Sequence, residues 1–406
     1  MSVHSAITRT GRFLAESPHR LTESVPNLPL HAFDHQDETF SSAFSILRQA
    51  IEDQAFPAAS LAVTYKSRLV ALKTFGSFTF TKDSLLTEFD AEPISSTLFD
   101  LASVTKAVAT TTMAMILYER GLLELETPVI GIVPEFLIDN SGEPDPRRND
   151  VTFRMLLSHS SGLPAYERLF LKAHSRDDLL RAAFVTPLST DPGVRAEYSD
   201  IGFIILGAAL ERIAGDSLDR FCQREIFGPL AMTHTTFNPP ANMRTKIPPT
   251  ANEREGGLRS TFRQRIIQGE VQDENAFVLG GVAGHAGLFS TAEDLAVFAY
   301  SMLHGSRIVR PETVALFTRR ESAPSGTSRA LGWDTPSAPS QSGKYFGPAS
   351  FGHLGYTGTS LWIDPDRDLS ITLLTNRTWP ECSNQAIKKI RPRFHDAIIE
   401  ALAQRF

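Results

Sequence analysis

A serine and a lysine three positions apart, Ser103 and Lys106, are the first residues that could do chemistry in this sequence. They lie in FDLASVTKAVATTTMAMILYERG (99–121), which begins like a strand and continues with small and apolar residues at helical spacing. On a helix the two side chains share one face about one turn apart. A serine at a helix N-terminus sits in a positive field, and a neighbouring lysine can exchange a proton with it. The pair alone also fits a helix cap and a solvated charge, but Lys106 is surrounded by Ala, Val, Thr and Met.

Two further segments place polar groups beside predicted regular structure. Tyr198-Ser199-Asp200 precedes an apolar helix expected to begin near Ile201, and His353-Leu354-Gly355 leads into a strand. A tyrosine acts as a general base only if cations stabilise its phenolate, because its ordinary pKa is about 10. A glycine beside an edge strand lets a ligand approach the backbone, where an N–H can complete an oxyanion hole. Considered singly, the first segment fits a helix cap over a packed tyrosine, and the second fits a turn beside a surface histidine.

In this order the three segments resemble the serine β-lactamase and penicillin-binding-protein superfamily. The similarity is greatest to its class C β-lactamase-like branch, which includes esterases and D-aminopeptidases. That family carries Ser-x-x-Lys, then Tyr-x-Asn, then Lys-Thr-Gly or His-x-Gly on a strand. The stretches LLSHSSGLP (156–164), LGGVAGHAGLFSTAEDLAVFA (279–299) and the hairpin GTSLWIDP resemble the family too. The resemblance covers roughly residues 41–402.

The resemblance implies a role for each matching position. Ser103 would be the acylated nucleophile, Lys106 its proton partner, and Tyr198 the general base that later protonates the leaving group. The oxyanion hole would consist of the backbone N–H groups of Ser103 and of Tyr356, the residue after Gly355.

Two positions depart from the family pattern. Asp200 stands where the family often has Asn, and an ionised carboxylate only accepts hydrogen bonds and would keep Lys106 protonated. We therefore expect Tyr198 to be the better base and recognition of amide side chains to be weakened. His353 replaces a family lysine, so a fixed cation becomes a side chain that is neutral for much of the time near pH 7. Both departures favour short esters over substrates that carry a carboxylate.

The periodicity elsewhere predicts an α+β fold. Hairpins are expected over 59–78 and 358–375, and helices over 41–54 and in the tail from Ser383, where Pro392 should kink or split the helix. One antiparallel sheet flanked by terminal helices, with a large helical subdomain, accounts for this order. The resemblance implies the β-lactamase/transpeptidase-like version of that fold.

The domain organisation follows from the same pattern. Residues 1–40 are expected to form a polar N-terminal extension, because they carry charge but lack the apolar h-region of a signal peptide. Residues 41–130 and 331–406 are predicted to form the α/β sheet subdomain, and 131–330 a mainly helical subdomain. The active site is expected at the junction of the two.

Composition excludes several classes of function. The 406 residues are 42% hydrophobic and 21% charged, and a net charge of −6 argues against a nucleic-acid surface. Two distant cysteines, Cys222 and Cys382, suit a reducing compartment, and neither a signal peptide nor a membrane span is seen, so we expect a cytoplasmic protein. His159 and His285 lack metal-ligand spacing and are expected to be loop or hydrogen-bonding histidines, so no metal or cofactor is predicted.

The leading hypothesis is a metal-free serine hydrolase that forms an acyl-enzyme on a small ester or amide and is esterase-like. A β-lactamase, a D-aminopeptidase or a D-alanyl peptidase is the alternative among enzymes. A catalytically idle relative that binds a ligand in the same pocket is the alternative outside them. The partner in each case is a small molecule, and the sequence leaves the natural substrate and the oligomeric state open.

Overall fold

A computed structural model describes residues 30–80, 89–254, 262–305 and 307–405 of the chain. Most of the predicted N-terminal extension, residues 1–29, lies outside the described residues. In chain order the strands are β1 Leu30–His31, β2 Ala58–Tyr65, β3 Arg68–Gly76, β4 Phe99–Asp100, β5 Thr236–Phe237, β6 Ala251–Asn252, β7 Ile266–Ile267, β8 Leu288–Ser290, β9 Phe351–Leu354, β10 Ser360–Asp364 and β11 Leu369–Thr375.

The helices are distributed along the whole described chain. In order, the α-helices are α1 Gln36–Thr39, α2 Ser41–Glu52, α3 Thr112–Glu119, α4 Phe153–Leu157, α5 Arg176–Phe184, α6 Asp200–Ala214, α7 Leu218–Cys222, α8 Glu274–Val278, α9 Ala292–His304, α10 Pro311–Thr318 and α11 Ile387–Arg405. Within the described ranges, no helix is long and apolar enough to cross a membrane.

A six-stranded sheet in the order β1-β3-β2-β11-β10-β9 forms the centre of the fold. All neighbouring strands are antiparallel except the short β1, which runs parallel to β3. The two predicted hairpins are present as β2–β3 and β10–β11, and they join through the pairing of β11 with β2. The prediction of an α+β fold built on one largely antiparallel sheet is confirmed.

Each face of this sheet packs against helices. Along β10, Trp362 joins the core formed with α2 and α11, whereas its neighbours Leu361 and Ile363 join the larger core on the other face. This alternation follows from the two-residue period of a strand. The larger core also contains Phe298 of α9, so a helix from the middle of the chain covers the second face. The division into domains remains a prediction.

Proline 392 does not split the C-terminal helix, because α11 runs unbroken from Ile387 to Arg405. A proline inside a helix leaves the carbonyl four residues earlier without its usual donor. Here that carbonyl belongs to Lys388, and the side-chain amide of Gln341 donates to it at 3.0 Å. The replacement donor comes from 47 residues away along the chain.

Candidate active site

The turn before Ser103 presents this residue at the start of a helix. Strand β4 pairs with β8, and the backbone then turns through Ala102, whose φ of +46° is unusual for a residue other than glycine. Residues Lys106–Thr111 form a wider π-helical turn, which continues into α3. Such π segments recur at functional sites. The prediction of a helix after Ser103 is confirmed, although its first turns are π-helical.

Ser103 is contacted by two proton-carrying groups. The Lys106 ammonium donates to Ser103 Oγ at 3.0 Å, and the Tyr198 hydroxyl donates to the same oxygen at 2.8 Å. Lys106 is fully buried, whereas Ser103 is partly exposed and lines a cleft of about 800 Å³. The structure therefore brings together the three residues that the sequence pattern selected for catalysis.

Asp200 determines the charge state of Lys106. Its carboxylate Oδ1 lies 2.6 Å from the Lys106 Nζ, and the third ammonium proton is donated to the carbonyl of His285 at 3.0 Å. Burial alone would lower the pKa of Lys106, but the charge of Asp200 and its hydrogen bond to the ammonium outweigh burial, and the pKa is raised. Lys106 is thus an ammonium at neutral pH, and most of the negative charge on Asp200 is neutralised by it.

Tyr198 is a neutral phenol in the resting site. Burial and the negative charge of Asp200 raise the pKa of Tyr198 to about 12, although Lys106 acts in the opposite direction. Two cations lie over its ring: Lys106 Nζ is 4.9 Å and the Arg329 guanidinium carbon is 5.4 Å from the ring centroid. These cations are placed to stabilise a phenolate when the tyrosine loses its proton.

The loop that holds Tyr198 is fixed at the N-terminus of α6. Ser199 caps this helix by accepting from the Gly202 N–H at 3.0 Å. The helix cap that the segment predicted when considered singly is therefore present as well. The Ser199 N–H in turn donates to Nδ1 of His159 at 3.0 Å, and the His159 ring lies 4.6 Å from the Tyr198 ring. Burial and the charge of Arg329 hold the pKa of His159 well below its ordinary value, so the histidine is a neutral acceptor. The sequence did not assign His159 to the site.

The third segment brings its backbone against the nucleophile turn. A Cβ at Gly355 would lie 1.9 Å from Thr359 Oγ1 and 2.5 Å from the carbonyl oxygen of Leu101, so only glycine fits this approach. Tyr356 follows, lines the cleft, and accepts from Arg377 Nε at its carbonyl at 2.7 Å. The oxyanion hole formed by the N–H groups of Ser103 and Tyr356 stays a prediction.

His353 is buried next to the site and is not among the residues that line the cleft. It is directly opposite Leu361 on β10, and side chains at opposite positions of an antiparallel pair share a face. Leu361 is fully buried, and His353 accordingly is only 4% exposed, with Nδ1 2.8 Å from the carbonyl of Leu354. Burial and the charge of Lys106 lower the pKa of His353 to about 3. A neutral side chain was expected, and the contact of His353 with a substrate stays a prediction; its ring lies 6.2 Å from the Tyr198 ring.

A second polar pair lines the cleft beside Lys106. Nε2 of His285 lies 2.8 Å from Oδ1 of Asp273, and the same carboxylate oxygen caps α8 through the Ala276 N–H at 2.8 Å. The sequence predicted a loop or hydrogen-bonding histidine at position 285, and this contact matches that role. The link between His285 and Lys106 runs through the backbone carbonyl, which no side-chain pattern could reveal.

The cleft is lined by both apolar and cationic side chains. The apolar and aromatic side chains include those of Tyr166, Phe170, Leu171 and Phe262, and the rings of Phe170 and Phe262 meet edge to face at 5.0 Å. The cationic side chains include that of Arg391 from α11. In the described part of the chain, no group of three or more His, Cys, Asp or Glu side chains could hold a metal ion.

Comparison with known proteins agrees with this arrangement. The profile of the Beta-lactamase family matches residues 44–391. A protein of Escherichia coli (strain K12) named "Putative D-alanyl-D-alanine carboxypeptidase" is 32% identical over 347 residues, which are 80% of this chain and 79% of that protein. The N-acetylmuramyl-L-alanine amidase of Bacillus subtilis (strain 168) is 34% identical over 346 residues, 79% of this chain and 77% of that protein.

Solved structures share the fold at lower identity. EstCE1, described as a hydrolase with promiscuous acyltransferase activity, has a TM-score of 0.71 and 19% identity over 89% of this chain and 99% of its own. Unliganded simvastatin synthase (LovD) from Aspergillus terreus has a TM-score of 0.67 and 21% identity over 91% of this chain and all of its own. The resemblance seen in the sequence is confirmed: the chain belongs to the Beta-lactamase family and is a serine hydrolase of that superfamily.

Proposed function

We propose that this chain hydrolyses small esters through an acyl-enzyme on Ser103. The observation that carries the proposal is the pair of donors on Ser103 Oγ, with Lys106 Nζ at 3.0 Å and the Tyr198 oxygen at 2.8 Å, beside an open cleft. The Tyr198 oxygen can take the serine proton once the phenol is ionised, and the Lys106 ammonium stabilises the phenolate that does so while Ser103 Oγ attacks a carbonyl carbon. The intact set of three groups also argues against a catalytically idle binding protein.

The charge states suggest how the proton moves. Because Lys106 rests as an ammonium and Tyr198 as a phenol, the base in the proposed mechanism is the minor phenolate form of Tyr198. With a pKa of about 12, that form makes up roughly 10⁻⁴ of the enzyme at pH 8, so activity should rise about tenfold per pH unit through the neutral range. After attack, the phenol so formed gives its proton to the leaving group.

The ester preference rests on the walls of the cleft. The apolar side chains of Tyr166, Phe170 and Leu171 can bury a short acyl chain, and each buried CH₂ contributes about 0.8 kcal/mol. Asp200 is paired with Lys106 at 2.6 Å, so its charge is less available to attract a substrate amine than the sequence suggested. In the proposed oxyanion hole, the N–H groups of Ser103 and Tyr356 hold the carbonyl oxygen of the ester.

One observation favours a second candidate, an amide or peptide that ends in a carboxylate. Arg391 lines the cleft, is 3% exposed, and donates only to Gln341 Oε1 at 3.1 Å and to the carbonyl of Thr359 at 3.3 Å. Its Nε has no partner among the residues that the structure describes. Burial and the nearby Arg377 lower the pKa of Arg391 to about 9, and a carboxylate would relieve this cost. The name of the Escherichia coli relative points to the same substrate class.

A substrate panel on one enzyme preparation separates the candidates. It consists of p-nitrophenyl acetate and butyrate, a D-alanine anilide, a peptide ending in D-alanyl-D-alanine, and nitrocefin. We expect kcat/KM to be highest for the esters, and the Ser103→Ala variant serves as the blank for spontaneous hydrolysis. Faster turnover of the peptide would favour the second candidate, and faster turnover of nitrocefin would favour a β-lactamase. A substrate bound but not cleaved in every assay would favour the binding protein.

A further inference from the structure

The residue just before the nucleophile turn, Asp100, is buried at the meeting point of three segments. Its Oδ1 accepts from the Ala102 N–H at 2.8 Å, and its Oδ2 accepts from the Gln272 N–H at 2.7 Å. Its backbone carbonyl accepts from the hydroxyl of Thr357 at 2.7 Å. Asp100 is 2% exposed, and neither of its carboxylate oxygens lines the cleft.

The two N–H groups belong to segments that the catalytic geometry depends on. Ala102 has the left-handed backbone conformation that precedes Ser103, and residues other than glycine rarely adopt this conformation without support from their surroundings. Gln272 lines the cleft and precedes Asp273, the partner of His285. One carboxylate therefore bridges the nucleophile turn and the cleft wall.

The wall end of this bridge is itself anchored. The Arg263 guanidinium donates to the carbonyls of Val271 and Gln272, both at 2.7 Å, and is paired with Glu253 at 2.6 Å. The side chains of Arg263 and Glu253 are 2% and 3% exposed. Arg263 thus fixes the backbone on both sides of the Gln272 N–H, and Asp100 links this N–H to the Ala102 N–H of the nucleophile turn.

We propose that Asp100 is a positioning residue for Ser103, and that its ionised carboxylate holds the nucleophile turn against the wall at Gln272. The inference rests on the proposed role of Ser103. The ionised form accepts strongly with both oxygens, whereas protonation or replacement by an amide puts a donor hydrogen on one of the two acceptor positions. The Ala102 or the Gln272 N–H would then face another donor, and the turn would lose one of its two fixed points.

The charges around Asp100 suggest where this form is lost. Burial raises the pKa of Asp100 to about 6, and the charge of Asp273 also raises it. The hydrogen bonds from the Ala102 and Gln272 N–H groups and the charge of Arg263 lower this pKa, but they do not outweigh burial. Glu253 faces Arg263, and His285 faces Asp273. Because the folded pKa lies above the ordinary value of 3.8, protonation of this group stabilises the fold as the pH falls from 6 toward 4. The reactivity of Ser103 should therefore decline there without any loss of folding caused by this group.

The test is the rate at which a fluorophosphonate labels Ser103 between pH 5 and pH 8. With a phenolate base alone, the logarithm of the rate rises with a slope of one. Ionisation of Asp100 adds a second proton loss, so the parent slope should approach two below about pH 6. Asp100→Asn should label at least about tenfold more slowly at pH 8 and keep a slope of one throughout.

Asp294→Asn is the matched control. Asp294 is also a buried carboxylate that accepts two hydrogen bonds, from the His234 N–H and from the hydroxyl of Thr235, both at 2.8 Å, but it does not line the cleft. This variant should keep both the parent rate, within about twofold, and the change of slope. If Asp100 had only a structural role, the labelling rate of Asp100→Asn would depend on pH with the same slopes as that of the parent.

The outcomes separate this inference from the proposed function. If Ser103→Ala is still labelled, the nucleophile assignment fails. If Ser103 is labelled but Asp100→Asn behaves like the parent, only the positioning role fails. Should Asp100→Asn not fold, the parent decides alone: a slope of one from pH 5 to pH 8 overturns the inference, and a change to two near pH 6 supports it.

Discussion

Replacing Asp200 by Asn should move the pH dependence of catalysis toward lower pH. Asp200 lies 2.6 Å from the Lys106 ammonium and raises the pKa of Lys106. Burial is the largest cause of the raised pKa of Tyr198, and the charge of Asp200 is the second. Without this negative charge the pKa of Lys106 falls, because burial of its cation is no longer compensated, and the pKa of Tyr198 falls, because its phenolate no longer faces an anion. Both changes move the alkaline rise of activity toward lower pH.

The size of the effect follows from the contact. At 2.6 Å and an effective dielectric constant of about 20, the attraction between Lys106 and Asp200 is on the order of 6 kcal/mol. About 1.4 kcal/mol moves a protonation midpoint by one pH unit, so even a quarter of that attraction is enough. We expect the alkaline rise of kcat/KM for Asp200→Asn to lie at least about one pH unit below that of the parent.

The assay is hydrolysis of p-nitrophenyl acetate from pH 6 to pH 10, followed at the isosbestic wavelength of nitrophenol, with Ser103→Ala as the blank. Glu211→Gln is the control, since Glu211 also forms an ion pair, with Arg176, and its side chain is 18% exposed compared with 17% for Asp200. Glu211 lies outside the cleft lining, and its variant should keep the parent profile. A profile for Asp200→Asn that coincides with the parent would refute the assignment of Asp200 as the residue that sets the charge of Lys106.

The folding stability of the same variant is also predicted. A lysine whose folded pKa is raised stabilises the fold below its ordinary pKa, and this contribution disappears as the pH rises through the folded value. Breaking a buried pair by removing one partner costs about 3–5 kcal/mol. Asp200→Asn should therefore unfold at a lower temperature than the parent at pH 7, and the difference should narrow at alkaline pH.

Three further substitutions test other parts of the site. Tyr198→Phe should lower kcat about 10²–10⁴-fold with a much smaller change in KM, and near-normal kcat would return Tyr198 to a packing role. Arg391→Gln should weaken binding of a peptide carboxylate about 5–30-fold and leave ester hydrolysis unchanged. The exposed control Lys389→Gln should change neither activity, and equal losses on both substrates in Arg391→Gln would argue against a carboxylate site. Gly284→Ala should lower both the melting temperature and kcat, because its Cβ would lie 2.1 Å from the Phe203 carbonyl oxygen; an unaltered enzyme would show that this loop has room to move.

Local pattern was sufficient for the hairpins and for the helices after Ser103 and Tyr198, whereas the roles of the central site residues came from the resemblance of three ordered segments to a known family. The spacing of Ser103 and Lys106 specified one helix face, and the hairpins followed from alternating strands around short polar turns. The helix after Tyr198 followed from its apolar run and its cap at Ser199. These features depend on neighbours within a few residues, which a sequence displays directly.

Features set by distant contacts could not be predicted. The burial of His353 depends on its register opposite the buried Leu361, which the local sequence does not display. The wider turn after Lys106 lies against a loop 174 residues away, where Thr110 donates to the carbonyl of Gly284 at 2.6 Å. The intact helix at Pro392 likewise depends on a donor from a distant segment. Each of these needs the tertiary structure, because the partner is invisible in the local sequence.

The most direct test of the central claim is the site of covalent labelling by a fluorophosphonate. The parent should gain the mass of one reagent group, and peptide mapping should place it on Ser103, whose oxygen is held by Lys106 and Tyr198. Ser103→Ala, shown to be folded by its melting temperature, should gain none. An adduct that persists in Ser103→Ala, or that maps to another residue in the parent, would contradict the proposed acyl-enzyme.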